Sequence, residues 1–285
     1  MKTFDLTVII TSFYSSDKIF SCIESIEKSI KIIVIENSND EKLKEEIHSK
    51  YQNVECILSK ENLGYGAGNN LGLSRVETRY ALIVNPDVTL NTDTVNKFFL
   101  SINNLEDFGI VAPISQNEKY NNFNINDDKE IKEVDNVKGF AMFLNMKTLK
   151  QINFFDDNFF LYFEEIDLCR RLKKNNSKIF IDPTIKVSHL GGKSHNPEIE
   201  KPMELSRNWH WMWSTFYFHK KHYGYLSAMI KIFPKLSSSL IKFIFFLITF
   251  QKYKSEIYKH RLLGIINSVL LRKSWYRPKL KMYNN

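Results

Sequence analysis

Four short apolar runs rich in β-branched residues recur early in the chain: Leu6–Thr11, Ile32–Ile35, Val54–Leu58 and Tyr80–Val84. An amphipathic stretch from Ser16 to Ser29 separates the first two, and a helix-like segment from Asn69 to Val76 precedes the fourth. Alternation of buried strands with helical patterning predicts an α/β domain with a Rossmann-like, mostly parallel sheet flanked by helices. Ligands in such sheets bind beyond the carboxyl ends of the strands. The residues there are Thr11-Ser12-Phe13, Glu36-Asn37-Ser38 and Asn85-Pro86-Asp87.

Further along, Glu118–Glu130 is polar and reads as a surface loop. From Trp209 the pattern changes to closely spaced aromatics, including Trp211 and Trp213, followed by apolar segments studded with Lys. The longest uncharged apolar run there, Phe243–Phe250, has eight residues, whereas a membrane-spanning helix needs roughly 20. A helical segment lying on a surface is the reading that remains.

Charge sharpens this division. Residues 207–285 carry 15 Lys and Arg against the single acid Glu256, while residues 1–206 carry 25 basic and 31 acidic residues. A basic, aromatic-rich region suits an anionic surface, either phospholipid or nucleic acid. Cys22, Cys56 and Cys169 are far apart, with no ligand spacing, and read as buried reduced thiols. The opening residues show no long apolar segment before a cleavage site, which predicts a cytoplasmic chain.

Four segments carry candidate chemistry. Asp87 follows a buried strand, where it serves as a turn former or as a carboxylate ligand for a hard divalent cation. The glycine-rich segment Glu61–Asn70 either brings backbone close to a ligand or makes a tight strand-to-helix connection, with helix amides exposed near Asn69. Over Phe154–Leu172, a helix from Tyr162 places Tyr162, Ile166, Leu168, Cys169 and Leu172 on one face, with Glu165 among them. Glu164, Asp167, Arg170 and Arg171 then take the other face. An acid on an apolar face is costly unless it is paired or functional. His189 follows a strand-like stretch, open to either metal or diphosphate binding or to a bland surface role, and His195 reads as a surface residue.

In order, TVIITSFYS, IIVIENSND, ENLGYGAGNNLGL, YALIVNPDV, VKGFAMFLN, FFDDNFFLYFEEIDLCRRL and HLGGKSH resemble the inverting family 2 glycosyltransferases, in their rhamnosyltransferase-like branch. The resemblance implies a fold of the glycosyltransferase A type. It implies that Thr11, Ser12 and Phe13 lie along the nucleotide, that Glu36 meets base or ribose, and that Asn62, Gly64 and Asn69 border the donor pocket. Asn85-Pro86-Asp87 stands at the family's acidic metal motif, with Asp87 as its last acid, and His189 stands near metal and diphosphate. Glu165 stands where the family has its catalytic base, normally Asp. One acid in the metal motif, Glu for Asp at the base, and Glu36 for the usual Asp are departures that leave each charge in place.

The reading is a metal-dependent inverting hexosyltransferase using Mg2+ or Mn2+. Its donor is a nucleotide diphosphate sugar, dTDP-rhamnose first and a UDP-sugar second, and its acceptor a glycan or lipid-linked glycan. Residues 1–206 form the catalytic domain (nucleotide-sugar half 1–112, acceptor half 113–206), and 207–285 a basic helical region on the anionic inner face of the cell membrane. The rivals are a nucleic-acid-binding protein built on the basic aromatic region and an inactive binding module with the same fold. No nucleic-acid signature accompanies the basic region, so a nucleic-acid partner is not expected.

Overall fold

The computed structural model describes residues 4–117, 130–189 and 196–278. They fall into two compact units, Met1–Asp156 with Glu165–Asn196, and Asp157–Glu164 with Pro197–Asn285. The loop expected at Glu118–Glu130, apart from its last residue, and His195 lie outside the described residues.

The chain of the first unit runs β1 (Leu6–Ser12), α1 (Ser16–Glu24), β2 (Lys31–Glu36), α2 (Glu41–Lys50), β3 (Val54–Leu58), α3 (Tyr65–Leu73), β4 (Tyr80–Val84), β5 (Val88–Leu90) and α4 (Thr94–Ile102). It continues through β6 (Phe108–Ser115), β7 (Lys132–Glu133), β8 (Ala141–Asn145), α5 (Met146–Gln151), α6 (Glu164–Lys174) and β9 (Lys178–His189). Among the described residues these strands form one sheet of order β3-β2-β1-β4-β8-β6-β9-β5, with β7 also on β9. The first four strands are parallel. Beyond β4 the sheet is mixed: β8 runs antiparallel to β4 and β6, and β5 and β7 run antiparallel to β9.

Alternate residues of each strand face opposite sides, so both faces are apolar. Val8, Ile10, Val34 and Val84 pack with Ile19 and Cys22 of α1 and Phe98 of α4. Ile9, Ala81 and Ile83 pack with Leu73 of α3 and with Leu168, Cys169 and Leu172 of α6. All three cysteines are buried and unbridged, as expected.

Two helix boundaries differ from expectation. The first helix stops at Glu24, not Ser29. The second begins at Tyr65, four residues before Asn69, and carries Gly66, Gly68 and Gly72 inside it. Each glycine disfavours a helix by about 1 kcal/mol relative to alanine, and packing outweighs this. A Cβ on Gly72 would stand 2.7 Å from Ile9 Cγ2, and one on Gly68 would stand 2.8 Å from Thr11 Cγ2. The glycines let α3 press against β1. The exposed amides expected near Asn69 therefore belong to the turn after Gly64, which enters the helix at φ +82°.

The second unit contains α7 (Glu200–Tyr223), α8 (Tyr225–Ile248) and α9 (Lys252–Val269) around Met212, Phe216, Ala228, Ile232 and Ile265. Gly224, at φ +89°, makes the turn between α7 and α8. A Cβ on Gly264 would overlap the Trp209 carbonyl, so α9 crosses α7 backbone to backbone. Of the three tryptophans in the aromatic run, Trp209 and Trp213 are buried and Trp211 is exposed. This corrects the reading of the aromatic run as a surface: its large rings fill the core between the three helices. Burial pushes the pKa of His210 down to about 3, and the neutral ring donates from Nε2 to Tyr276 O at 2.9 Å and accepts at Nδ1 from Ser274 Oγ at 3.0 Å. Among the described residues no helix is long and apolar enough to cross a membrane.

Candidate active site

The carboxyl ends of β1, β2 and β4 open beside the start of α3, and polar side chains gather there. Thr11 Oγ1 donates to Asn69 Oδ1 at 2.9 Å, and Asn37 Nδ2 donates to Gly64 O at 3.0 Å. Asn62 Oδ1 accepts from Gly64 N–H at 3.0 Å and holds the turn into the helix. Ser12 Oγ, Asn37 Oδ1 and Asn69 Nδ2 are buried and have no hydrogen-bond partner among the described residues. Buried polar atoms are rarely left unsatisfied, so three of them, at the ends of β1 and β2 and on α3, mark a place for a polar ligand. Phe13 flanks this pocket, its ring edge-on to Tyr14 at 4.8 Å.

Glu36 is completely buried. Its carboxylate accepts from Ser38 N–H at 3.0 Å, from Asp40 N–H at 2.8 Å and from the Ser38 hydroxyl, and so fastens its own loop. The neighbouring Asn37, which the sequence reading passed over in favour of Glu36, carries the unsatisfied oxygen. Its position directly after an apolar strand was the available signal.

Asn85–Val88 is a turn, closed by Val88 N–H to Asn85 O at 3.0 Å, with Asn85 N–H donating to Phe140 O at 2.9 Å. Asp87 is buried inside it, and neither carboxylate oxygen has a hydrogen-bond partner among the described residues. Pairing of β5 with β9 sets His189 opposite Val88. His189 Nε2 consequently lies 3.7 Å from Asp87 Oδ2, with the imidazole stacked on Phe140 at 4.7 Å. Burial lowers the His189 pKa, against the pull of Asp87, and nearby Lys138 lowers it further. A neutral imidazole beside a carboxylate suits a divalent cation that takes its other ligands from phosphate and water. No group of three or more metal-binding side chains occurs among the described residues. Lys138, in the segment VKGFAMFLN, is a second residue that spacing alone did not single out.

Glu165 sits in the first turn of α6. Burial pushes its pKa up to about 6, against the pull of the Glu165 and Ile166 backbone amides, which favour the charged form. The predicted helix faces need correction. Glu164 and Asp167 are the buried acids, while Glu165 and Ile166 keep partial exposure. Tyr162 and Phe163, with φ of +70° and +71°, lie outside the helix, which starts at Glu164; the expected apolar face holds at Leu168, Cys169 and Leu172 and fails only in this first turn. Asp167 pairs with Arg171 at 2.7 Å, as the i,i+4 spacing predicts, and Arg171 also donates to Ile152 O at 2.7 Å and to Phe154 O. Asn70 ties α3 to Phe155 through two hydrogen bonds, 2.9 and 3.0 Å.

The fold and its polar strand-end site define an α/β protein with a ligand place beyond the carboxyl ends of its strands. The family model described as "Glycosyl transferase family 2" matches residues 7–171, and the chain belongs to that family. It is 25% identical over 198 residues to the low-salt glycan biosynthesis hexosyltransferase Agl10 of Haloferax volcanii, covering 61% of this chain and 64% of that protein. It is 25% identical over 245 residues to the rhamnosyltransferase WbbL of Escherichia coli, covering 73% and 90%. Two solved structures share the glycosyltransferase A type fold. The mannosyltransferase PcManGT of Pyrobaculum calidifontis, in complex with GDP-Man and Mn2+, has a TM-score of 0.58 at 8% identity over 96% of this chain and 89% of that one. S. aureus TarS 1–349 has a TM-score of 0.53 at 12% identity over 95% and 93%.

Proposed function

We propose that the chain transfers a sugar from a nucleoside diphosphate donor to a hydroxyl of a glycan or lipid-linked glycan, with inversion at the anomeric carbon. The observation that carries this reading is Asp87, a buried carboxylate with no hydrogen-bond partner among the described residues, held 3.7 Å from His189 at the end of the central strand. Asp87 and His189 would hold a divalent cation, Mg2+ or Mn2+, which when bound offsets charge on the departing diphosphate. Thr11, Ser12, Asn37 and Asn69 line the place for the nucleotide, with Phe13, Asn62, Gly64 and Asn85 around it. Glu36 acts indirectly by fixing the loop that presents Asn37.

Glu165 accepts the proton of the attacking hydroxyl. With its pKa raised to about 6 it is ionised near neutral pH and still basic enough to take that proton. Rhamnose is the first choice of donor sugar because of the likeness to WbbL, with dTDP-rhamnose ahead of a UDP-sugar. The basic region 207–285 is read as the part that meets an anionic membrane at the inner face of the cell membrane.

Incubation with a panel of nucleotide sugars, with and without Mn2+, tests the reading through release of nucleoside diphosphate. Metal-dependent release from one donor supports it. Binding of nucleotide sugars without turnover, with any acceptor offered, would instead assign a binding module.

A further inference from the structure

Helix α8 presents an apolar face that, among the described residues, nothing in its unit covers. Ala228, Ile232 and Ser239 mark its buried side. At 100° per residue, Leu226, Ile230, Phe233, Ile241, Ile244 and Ile248 fall within an arc of about 80° on the opposite side. They are 47% to 74% exposed. The strip runs for about 33 Å at the helical rise. Scattered exposed hydrophobics are ordinary, but a strip of this length, broken only by Ser237, marks a binding surface.

Lys231, Lys235 and Lys242 occupy a third strip between the two, and α8 contains no acid. Burial lowers the Lys235 pKa, and the like charges of Arg261 of α9 and of Lys231 lower it further. A groove between the end of α7 and α8, lined by Tyr223, Ile230, Lys231, Pro234 and Lys235 among others, opens on this flank. Cations gathered beside an apolar strip call for an anion.

We infer that α8 lies in the plane of an anionic phospholipid surface, with Leu226, Ile230, Phe233, Ile241, Ile244 and Ile248 among the acyl chains and Lys231, Lys235 and Lys242 at the headgroup phosphates. A second copy of the chain fits this face poorly, because two regions of 15 basic residues and one acid would meet. Apolar insertion and lysine attraction add, and together they hold a helix that neither would hold alone. The inference refines the membrane association proposed above and is independent of the sugar-transfer chemistry.

The test is flotation of the full chain with vesicles of phosphatidylcholine alone and of phosphatidylcholine mixed with phosphatidylglycerol. The wild type floats with the mixed vesicles and weakly, if at all, with the neutral ones. Substituting Lys231, Lys235 and Lys242 by Glu weakens binding to the mixed vesicles by on the order of a hundredfold. Replacing Ile230, Phe233, Ile241 and Ile248 by Gln abolishes flotation while circular dichroism retains the helices. As an independent readout, Ile241→Cys carrying an environment-sensitive dye shifts to the blue on mixed vesicles, the native cysteines being buried from the label. Absence of flotation together with an unmoved dye would overturn the inference. So would a wild-type dimer in light scattering that the four Gln substitutions convert to monomer, since a second copy would then be the occupant.

Discussion

His189 Nε2 stands 3.7 Å from Asp87 Oδ2, although the two residues are far apart in sequence. A single antiparallel pairing, Val88 against His189, brings them together and leaves a buried carboxylate with no hydrogen-bond donor among the described residues.

The first prediction concerns that carboxylate. Burying a charge without full compensation costs stability, so Asp87→Asn should unfold at the same or a higher temperature than wild type without ligands. Stabilisation by a nucleoside diphosphate plus Mn2+ should shrink in the variant to the nucleotide-only value, and chelation should do the same to wild type. A thermal-shift series with and without metal reads both. Intact Mn2+ dependence in Asp87→Asn would remove this residue from the site.

Glu165→Gln should lower turnover on the order of a hundredfold or more with donor binding nearly unchanged, because it removes the proton acceptor and keeps its shape. The wild-type kcat/KM should fall on the acid side below about pH 6, where Glu165 becomes protonated. Glu164→Gln should be milder. Asp167→Asn should act on stability, by about 3 kcal/mol or more, since it breaks a buried pair with Arg171 that also secures the 152–154 turn. Initial rates across pH, with chemical denaturation of the variants, separate catalytic loss from structural loss.

The same carboxyl gives a stability signature of definite sign. Its pKa rises from 4.5 unfolded to about 6 folded, so the native state holds the proton more tightly. Stability from this group is therefore lost as pH climbs from about 4.5 to about 6, and the loss stays constant above. Glu165→Gln should remove that slope and stabilise the protein at neutral pH by up to about 2 kcal/mol. Urea midpoints of the two proteins at pH values on either side of this window check it.

Two glycines of α3 should respond differently to the same change. Gly68→Ala would place a Cβ 2.8 Å from Thr11 Cγ2 and 3.0 Å from Asn37 Nδ2, two side chains of the proposed nucleotide site. Gly72→Ala would place one 2.7 Å from Ile9 Cγ2, in the core. Both should lose on the order of 1–3 kcal/mol through overpacking. Only Gly68→Ala should also weaken nucleotide binding several-fold beyond the stability loss. Isothermal titration at a temperature where both variants are folded makes the comparison.

Much of the first unit is legible in one dimension. Leu6–Thr11, Ile32–Ile35 and Tyr80–Val84 are buried on both faces, so they must be apolar throughout, and a run of that kind betrays a strand whatever surrounds it. Because ligands meet such sheets at strand ends, Thr11, Ser12 and Asp87 can be picked out by position. Asn37 and Glu36 stand equally well at such an end. Choosing between them requires knowing that the Glu36 carboxylate is consumed by Ser38 and Asp40 of its own loop.

Tertiary structure decided what depends on phase and on partners. The left-handed backbone at Tyr162 and Phe163 puts both residues outside α6, so the apolar face of a helical wheel begun at Tyr162 does not extend into the first turn, where Glu164 is buried and Ile166 is partly exposed. Packing against β1 carried Gly68 and Gly72 into a helix that their propensity opposes. Trp209 and Trp213 entered a core, while Ile241 and Ile248 of an equally apolar helix remained outside. Periodicity ranks positions by hydrophobicity, but which side of an apolar helix is covered depends on neighbours brought in from elsewhere in the chain. The pairing of Asp87 with His189 has the same origin, because only the closing of β5 onto β9 sets the two side by side.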